Sequence, residues 1–438
     1  MKNIQLIGAG IGVILAGCSS KGLVKQDEVN SFINDKPAAL RPYFASLYQE
    51  GNRNAVLNFD RLGLAAMENG NDTIAAKAFD QAIQRIDAIY SDNPDAEKAR
   101  SLWNSEKVKD FKGEPYERAM AYYYRGLLYL KEGDYDNARA SFLGANRQDQ
   151  YAEDQKYQSD FGLMDYLAGW TSSCQGDKAS AEDRFGKLSK QHPSHLAQLT
   201  EQPPKFLAIV EVGDAPVKTL QGRYNEKLTF RDSANMATPS VQALNKGKPE
   251  ATPAINAADT YYQATTRGGR AIDGINEGKA EFKKTNEDIA ATTSTLSTMA
   301  TLNSYSYTGN AQMAMGALGI ASALISIGTR IAAEATTPEA DARSWESIPR
   351  NVFLYGTNES LGSNDLSFVS SKTKGGSVTA TPKLSGVHGQ CGFAWARIDS
   401  ALAKPPVVNT ISEDGDSDHL AKNQAFRAEL KRLFSAGG

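Results

Sequence analysis

The sequence predicts a mainly α-helical protein: a solenoid of helix hairpins, then a smaller mixed α/β domain. A spaced set of small and aromatic residues recurs three times in the first half of the chain. Beyond Pro203-Pro204 the texture changes to short β-rich runs separated by Gly, Asn and Ser turns. With 438 residues and 41% hydrophobic content, the chain can bury a sizeable core. Its formal charge of −3 is small and spread along the sequence, which argues against a nucleic-acid partner.

The chain opens on IQLIGAGIGVILAGCSS, residues 4–20. Gly8, Gly10 and Gly12 suggest a dinucleotide fingerprint, but its third glycine would fall on Val13 and the apolar run stops at Cys18. Lys2, the apolar residues 4–14 and Leu15-Ala16-Gly17-Cys18 instead resemble a bacterial lipoprotein signal ending in a lipobox. That resemblance implies a cleaved signal over residues 1–17 and acylation of Cys18. A tether over residues 18–28 would then hold the body to a membrane without a spanning helix. Ser19 stands where the bacterial sorting rule reads Asp as inner-membrane retention. It therefore implies the outer membrane, on its periplasmic face.

The repeats occupy residues 29–199. Gly63, Ala75, Phe79 and Ala82 are spaced by twelve, four and three, and Gly126, Ala138, Phe142 and Ala145 keep that spacing. Gly169, Ala181 and Phe185 keep its first two intervals, with Leu188 in the last place. A turn follows each glycine's helix: Asn69-Gly70-Asn71-Asp72, Glu132-Gly133-Asp134 and Gln175-Gly176-Asp177. Pro115 between Glu114 and Glu117 marks a helix start. The pattern resembles the tetratricopeptide repeat, whose small residues let paired helices cross closely. Tyr129 and Pro193 fit further positions of it, whereas Ala66 and Arg125 depart from it.

The resemblance implies a concave groove lined by the first helix of each hairpin. Its apolar lining maps to Leu64, Met67, Tyr123, Leu127, Tyr166 and Trp170, with Asp60, Glu68, Lys131 and Cys174 among the polar positions. The paired Lys, Asn and Arg that grip a peptide carboxylate in chaperone-binding members are missing. An apolar lining of this size must be covered by a partner or by the chain itself. The segment Phe32 to Leu47 and the helix around Phe426 are the expected covers.

A mixed domain is expected over residues 200–415. Residues 206–212 and 227–231 read as strands, and Ser233 to Ala258 as a loop of small polar residues and prolines. Tyr261 to Ala300 looks helical. The charge-free MAMGALGIASALISIGT, residues 313–329, reads as a buried helix over 311–334, or alternatively as a membrane-touching or self-associating segment. Four runs beginning at Asn351, Ser367, Ser377 and Gly392 read as further strands of one small sheet carrying that helix. A C-terminal amphipathic helix, 416–438, sets Phe426, Leu430, Leu433 and Phe434 against a basic face of Lys422, Arg427, Lys431 and Arg432.

No catalytic signature is present, and no cofactor or metal is expected. Gly274 to Lys279 is one residue short of a P-loop, with Ala280 where Ser or Thr must reach magnesium. His192 and His195 lack a neighbouring ligand and read as a loop at a repeat end. Cys174 and Cys391 are free to pair in an oxidising compartment or to remain thiols. Residues 109–142 and ARSWESIPRNVFLYG, residues 342–356, resemble a largely uncharacterised family of bacterial outer-membrane lipoproteins. Some members are encoded beside the lipoprotein activator of a peptidoglycan synthase. That implies a scaffold binding protein partners in cell-envelope assembly, and not an enzyme. The alternatives are a subunit of a homo-oligomeric envelope machine, or a sensor or enzyme that binds cell-wall fragments.

Overall fold

The repeated glycines and phenylalanines meet in space. A computed structural model of the chain describes residues 22–90, 110–111, 113–149, 161–191, 196–223, 225–233, 240–246, 251–265, 340–359, 361, 365–371, 377–398, 412–413 and 417–435. Among these, α3 (Ala55–Glu68) pairs with α4 (Asp72–Tyr90), α5 (Pro115–Glu132) with α6 (Tyr135–Asp149), and α7 (Gly162–Cys174) with α8 (Lys178–Gln191). A Cβ at Gly63 would lie 2.8 Å from the Phe79 ring, at Gly126 2.5 Å from Phe142, and at Gly169 2.6 Å from Phe185. All three are closer than real Cβ contacts allow. Each glycine therefore makes room for a phenylalanine one helix away, and Ala75, Ala138 and Ala181 lie buried beside it.

Local sequence starts and stops these helices. Glu114 and Glu117 form a capping box around Pro115, so orphan backbone donors at the start of α5 are satisfied reciprocally. Gly133, at φ 77°, ends α5 in the left-handed conformation, and its amide bonds back to Leu130. Arg125, a departure from the repeat pattern, reaches across to Asp80 on α4 at 2.7 Å and lies over the Tyr129 ring.

Two short helices, α1 (Gln26–Ile33) and α2 (Arg41–Glu50), precede the first hairpin, and α9 (Ala197–Glu201) follows the last. The strands β1 (Gly22–Leu23) and β13 (Ser412–Glu413) pair near the two ends of the described chain. The C-terminal helix α11 (Ser417–Leu433) packs edge-on through Phe426 to Phe59 of α3, and Phe434 just beyond it packs likewise on Phe44 of α2. It caps the first repeat and does not cover the groove, and the segment Phe32 to Leu47 packs beside it. Lys422, Lys431 and Arg432 are exposed as expected, but Arg427 is buried because its guanidinium donates to the Tyr48 carbonyl at 3.0 Å.

The second half forms two packed sheets, not one. The larger has the order β11 (Leu384–His388), β12 (Cys391–Ile398), β2 (Phe206–Val212), β8 (Asn351–Thr357), β7 (Ile255–Asp259), with β12 parallel to β2. The smaller has the order β10 (Ser377–Ala380), β9 (Leu366–Ser371), β5 (Val241–Asn245), β6 (Thr252–Pro253). A separate hairpin joins β3 (Val217–Gln221) to β4 (Lys227–Arg231). The expected loop from Ser233 to Ala258 thus contains β5, β6 and most of β7. Of the expected helix from Tyr261 to Ala300, α10 (Thr260–Thr265) covers the start, and residues 266–300 lie outside the described residues. The helix 311–334, His192 and His195 lie outside the described residues.

The larger sheet is buried on both faces, which explains the unbroken burial of β2 and β12. Leu207, Ile209, Val352, Leu354, Phe393 and Trp395 face the helices and share their core. The alternate residues Phe206, Ala208, Val210, Phe353 and Ala394 face the smaller sheet with Val241 and Phe368. The result is three layers: repeats, sheet, sheet. Among the described residues no helix is long and apolar enough to cross a membrane.

Gly126→Val should drive a branched side chain into Phe142 and cost about 1–3 kcal/mol in a denaturant melt. Gly186→Ala on α8, where an added Cβ meets nothing within 4 Å, should melt at or above the parent. Equal melting of the parent and the Gly126 variant would contradict the glycine–phenylalanine crossing.

Candidate functional site: the repeat groove and the sheet that fills it

The six apolar groove residues sit on α3, α5 and α7, as the repeat spacing places them. Leu64, Met67, Tyr123, Leu127, Tyr166 and Trp170 are all buried. What buries them is the inner face of the larger sheet together with a strap over residues 343–350. Trp170 donates its indole N–H to the Pro204 carbonyl at 2.8 Å, just before β2. Tyr124, the neighbour of Tyr123, stacks edge-on against Trp395 and lies beside Trp345. The chain covers its own groove, with different elements from those the sequence suggested.

Charges are buried at that contact. Arg397 on β12 reaches Glu68 at the end of α3 (2.7 Å), Glu211 on β2 (3.2 Å) and the Ser347 carbonyl of the strap (2.7 Å). Glu211 is fully enclosed and accepts from Tyr124 Oη (2.9 Å) and Trp395 Nε1 (2.8 Å). Glu211 and Arg397 are direct partners in the β2–β12 register. Burial pushes the Glu211 carboxyl above its usual range, while Arg397 and the surrounding donors pull it back. Tyr123 and Tyr124, beside that carboxylate, are held well above the usual phenol range by burial and then by the Glu211 charge. One guanidinium thus joins the first repeat, both central strands and the strap.

A second buried pair fixes the strap from the other side. Glu117, the capping residue of α5, binds Lys218 of β3 at 2.6 Å and accepts the Trp345 amide at 2.8 Å. Lys218 in turn donates to the Arg343 carbonyl (2.8 Å), and Arg61 of α3 donates to the Ser344 carbonyl (3.2 Å). Trp345 is fully buried against Phe79 and Tyr124. The strap lies between α3 and α5, and its Trp fills the groove end near the first repeat. At the groove's other end Cys174 of α7 is bonded to Cys391 of β12, with Cα atoms 5.6 Å apart. Nearby, His388 donates to the Lys131 carbonyl at the end of α5 (2.8 Å), and Tyr135 donates to the His388 carbonyl (2.9 Å).

Of the polar positions, Glu68 binds Arg397 and Cys174 is bonded to Cys391, whereas the Lys131 ammonium pairs with Asp72 of α4 and only its carbonyl meets the second half, at His388. Asp60 differs. It is buried on α3, and its Oδ1 has no hydrogen-bond partner. Burial, and then the charge of Glu117, raise its carboxyl well above the usual range. Sequence reasoning missed Glu211, Arg397 and Lys218. Glu211 and Arg397 each carried the signal of a single charge inside an otherwise apolar strand, FLAIVEV and CGFAWARI; Lys218, in VKTLQ, carried none. Among the described residues, no group of three or more His, Cys, Asp or Glu could hold a metal ion.

A tetratricopeptide-repeat family model matches residues 120–144, across the α5–α6 hairpin. No curated protein and no solved structure matches the chain significantly. The chain thus carries tetratricopeptide-like helix hairpins with a mixed sheet domain packed onto them, and such repeats suggest protein partners.

Arg397→Met should cost about 3–5 kcal/mol, because it leaves the enclosed Glu211 and the half-buried Glu68 without their cation. Replacing Glu68 and Glu211 by Leu in the same chain should recover most of that loss. A single variant that melts within about 1 kcal/mol of the parent would contradict the network, since exposed pairs are worth no more.

Asp60 makes stability fall with rising pH. Its unfolded carboxyl releases a proton near the reference value of about 3.9, whereas the folded one retains it until a higher pH. The folded state therefore binds more protons through that window, and stability declines across it. Asp60→Asn should melt higher than the parent at pH 7, with the difference shrinking towards pH 4. A constant difference across that range would contradict the assignment.

Proposed function

We propose that this protein is an outer-membrane-anchored periplasmic lipoprotein that scaffolds protein partners in cell-envelope assembly. The observation carrying the reading is Leu15-Ala16-Gly17-Cys18 directly behind an apolar core, in a chain whose body is built from tetratricopeptide-like repeats. The bridge between Cys174 and Cys391 supports it, because disulfides persist in oxidising compartments and are rare in the cytosol. Ser19 supports the outer membrane over the inner. The reading assigns no catalysis, cofactor or metal to the chain.

The filled groove changes how a scaffold of this kind works. An incoming peptide would have to displace a sheet bonded covalently to α7 through Cys391 and tied to α3 by the Arg397–Glu68 pair. Partners are therefore recognised on outward surfaces, with the groove serving as the internal joint.

Cys18→Ser should abolish incorporation of labelled fatty acid and remove the protein from the outer-membrane fraction. Ser19→Asp should move it to the inner membrane in a host that uses the sorting rule. Normal lipid labelling of the Cys18 variant would sink the reading. Crosslinking in intact cells should then place partner contacts on exposed residues such as Glu182 or Thr379.

A further inference from the structure

Only three residues separate Cys18 from the start of β1 at Gly22. Fully extended, four residue steps of roughly 3.3–3.6 Å span about 14 Å. The end of that tether is fixed, because Gly22 and Leu23 pair with Glu413 and Ser412. Two residues lead from β1 into α1, and three lead from β13 into α11. Both helices pack at the first-repeat end of the solenoid, α1 on α2 and α11 across α2 and α3.

From there the helices stack in sequence order, α2 on α3 and onward to α8. Packed helix axes lie about 8–10 Å apart, so three hairpin layers put α8 on the order of 30 Å from the tethered end. That is about twice the tether's reach.

The rest of the described body gives a bilayer no second hold. Its exposed large apolar side chains are Val217, Leu244, Tyr262 and Val387, scattered over β3, β5, α10 and β11. Nor does charge draw the body down. Residues 412–418 carry Glu413, Asp414, Asp416 and Asp418, and α1 adds Asp27 and Glu28, which outweigh Lys21 and Lys25 beside β1 and oppose flat binding to anionic headgroups.

We propose that a lipid bilayer meets this protein at the β1–β13 edge and the first-repeat end of the solenoid, so that the third repeat points away from the membrane. The inference rests on the lipid anchor proposed above and adds the orientation. It makes α1 and the start of α11 membrane-proximal, and α8 with its exposed Lys178, Glu182, Asp183 and Lys187 distal. The acyl chains alone provide the attraction, so the orientation does not depend on salt.

The test uses the full-length acylated protein in phosphatidylethanolamine–phosphatidylglycerol vesicles that carry a headgroup-linked quencher. A fluorophore is placed singly at Gln26→Cys, Lys422→Cys, Glu182→Cys or Thr379→Cys; Cys174 and Cys391 are bonded to each other and do not label. Quenching should be several-fold stronger at 26 and 422 than at 182 on α8, and unchanged at high salt; the label at 379 on β10 reports the height of the outer sheet. Equal or inverted quenching in protein whose N-terminal peptide carries the acyl mass would overturn the orientation and leave the anchor standing. An unmodified Cys18 in protein that fails to sediment with vesicles would remove the anchor, and the orientation with it.

Discussion

A guanidinium enclosed between two carboxylates is the constraint on which the remaining structure depends. Arg397 lies where water does not reach, so its charge is tolerable only if Glu68, Glu211 and the Ser347 carbonyl all stay in place. Those three groups come from the first repeat, the central strand and the strap. Withdrawal of any one of them removes a partner from a buried charge. The repeats and the sheet are thereby fixed to one another in a single register, which apolar packing alone would specify less sharply.

The pairing of Glu117 with Lys218 extends the same logic. Glu117 satisfies an orphan amide at the start of α5, a lysine on β3 and the amide of Trp345 at once. One side chain thus couples the start of a repeat helix to the seating of the strap. The disulfide between Cys174 and Cys391 closes the opposite end of the groove. A surface that repeat proteins of this class use for partners has become an interior, and β2 and β12 are apolar on both faces because each lies between two layers.

Much of this was legible in the sequence. The glycine–phenylalanine spacing is visible because the same steric need recurs three times, and each copy checks the others. The strands at Phe206, Asn351, Ser367, Ser377 and Gly392 stood out through β-branched and aromatic content. The stretch from Ser233 to Ala258 did not. Its strands VQALN, TP and INAAD hold more Ala, Asn, Gln, Asp and Pro than β-branched residues, preferences overridden by pairing with β8 and β9. The groove's apolar character was readable, but its cover was not, because nothing local in ARSWESIPR shows which helices it lies between. Arg427 looked like a surface charge from its spacing, and only the Tyr48 carbonyl explains its burial. Glu211 and Arg397 were passed over because neither has a partner within its own strand; they form a pair only when β2 and β12 lie side by side.

If the repeats and the sheet share one interior, they must open together. Native-state hydrogen exchange of the disulfide-intact protein measures this directly. The slowest amides of α5 and α7 and those of β2 and β12 should exchange with the same opening free energy and the same denaturant dependence. Release of β2 and β12 through a lower-energy opening, while α5 and α7 remain protected, would contradict the account.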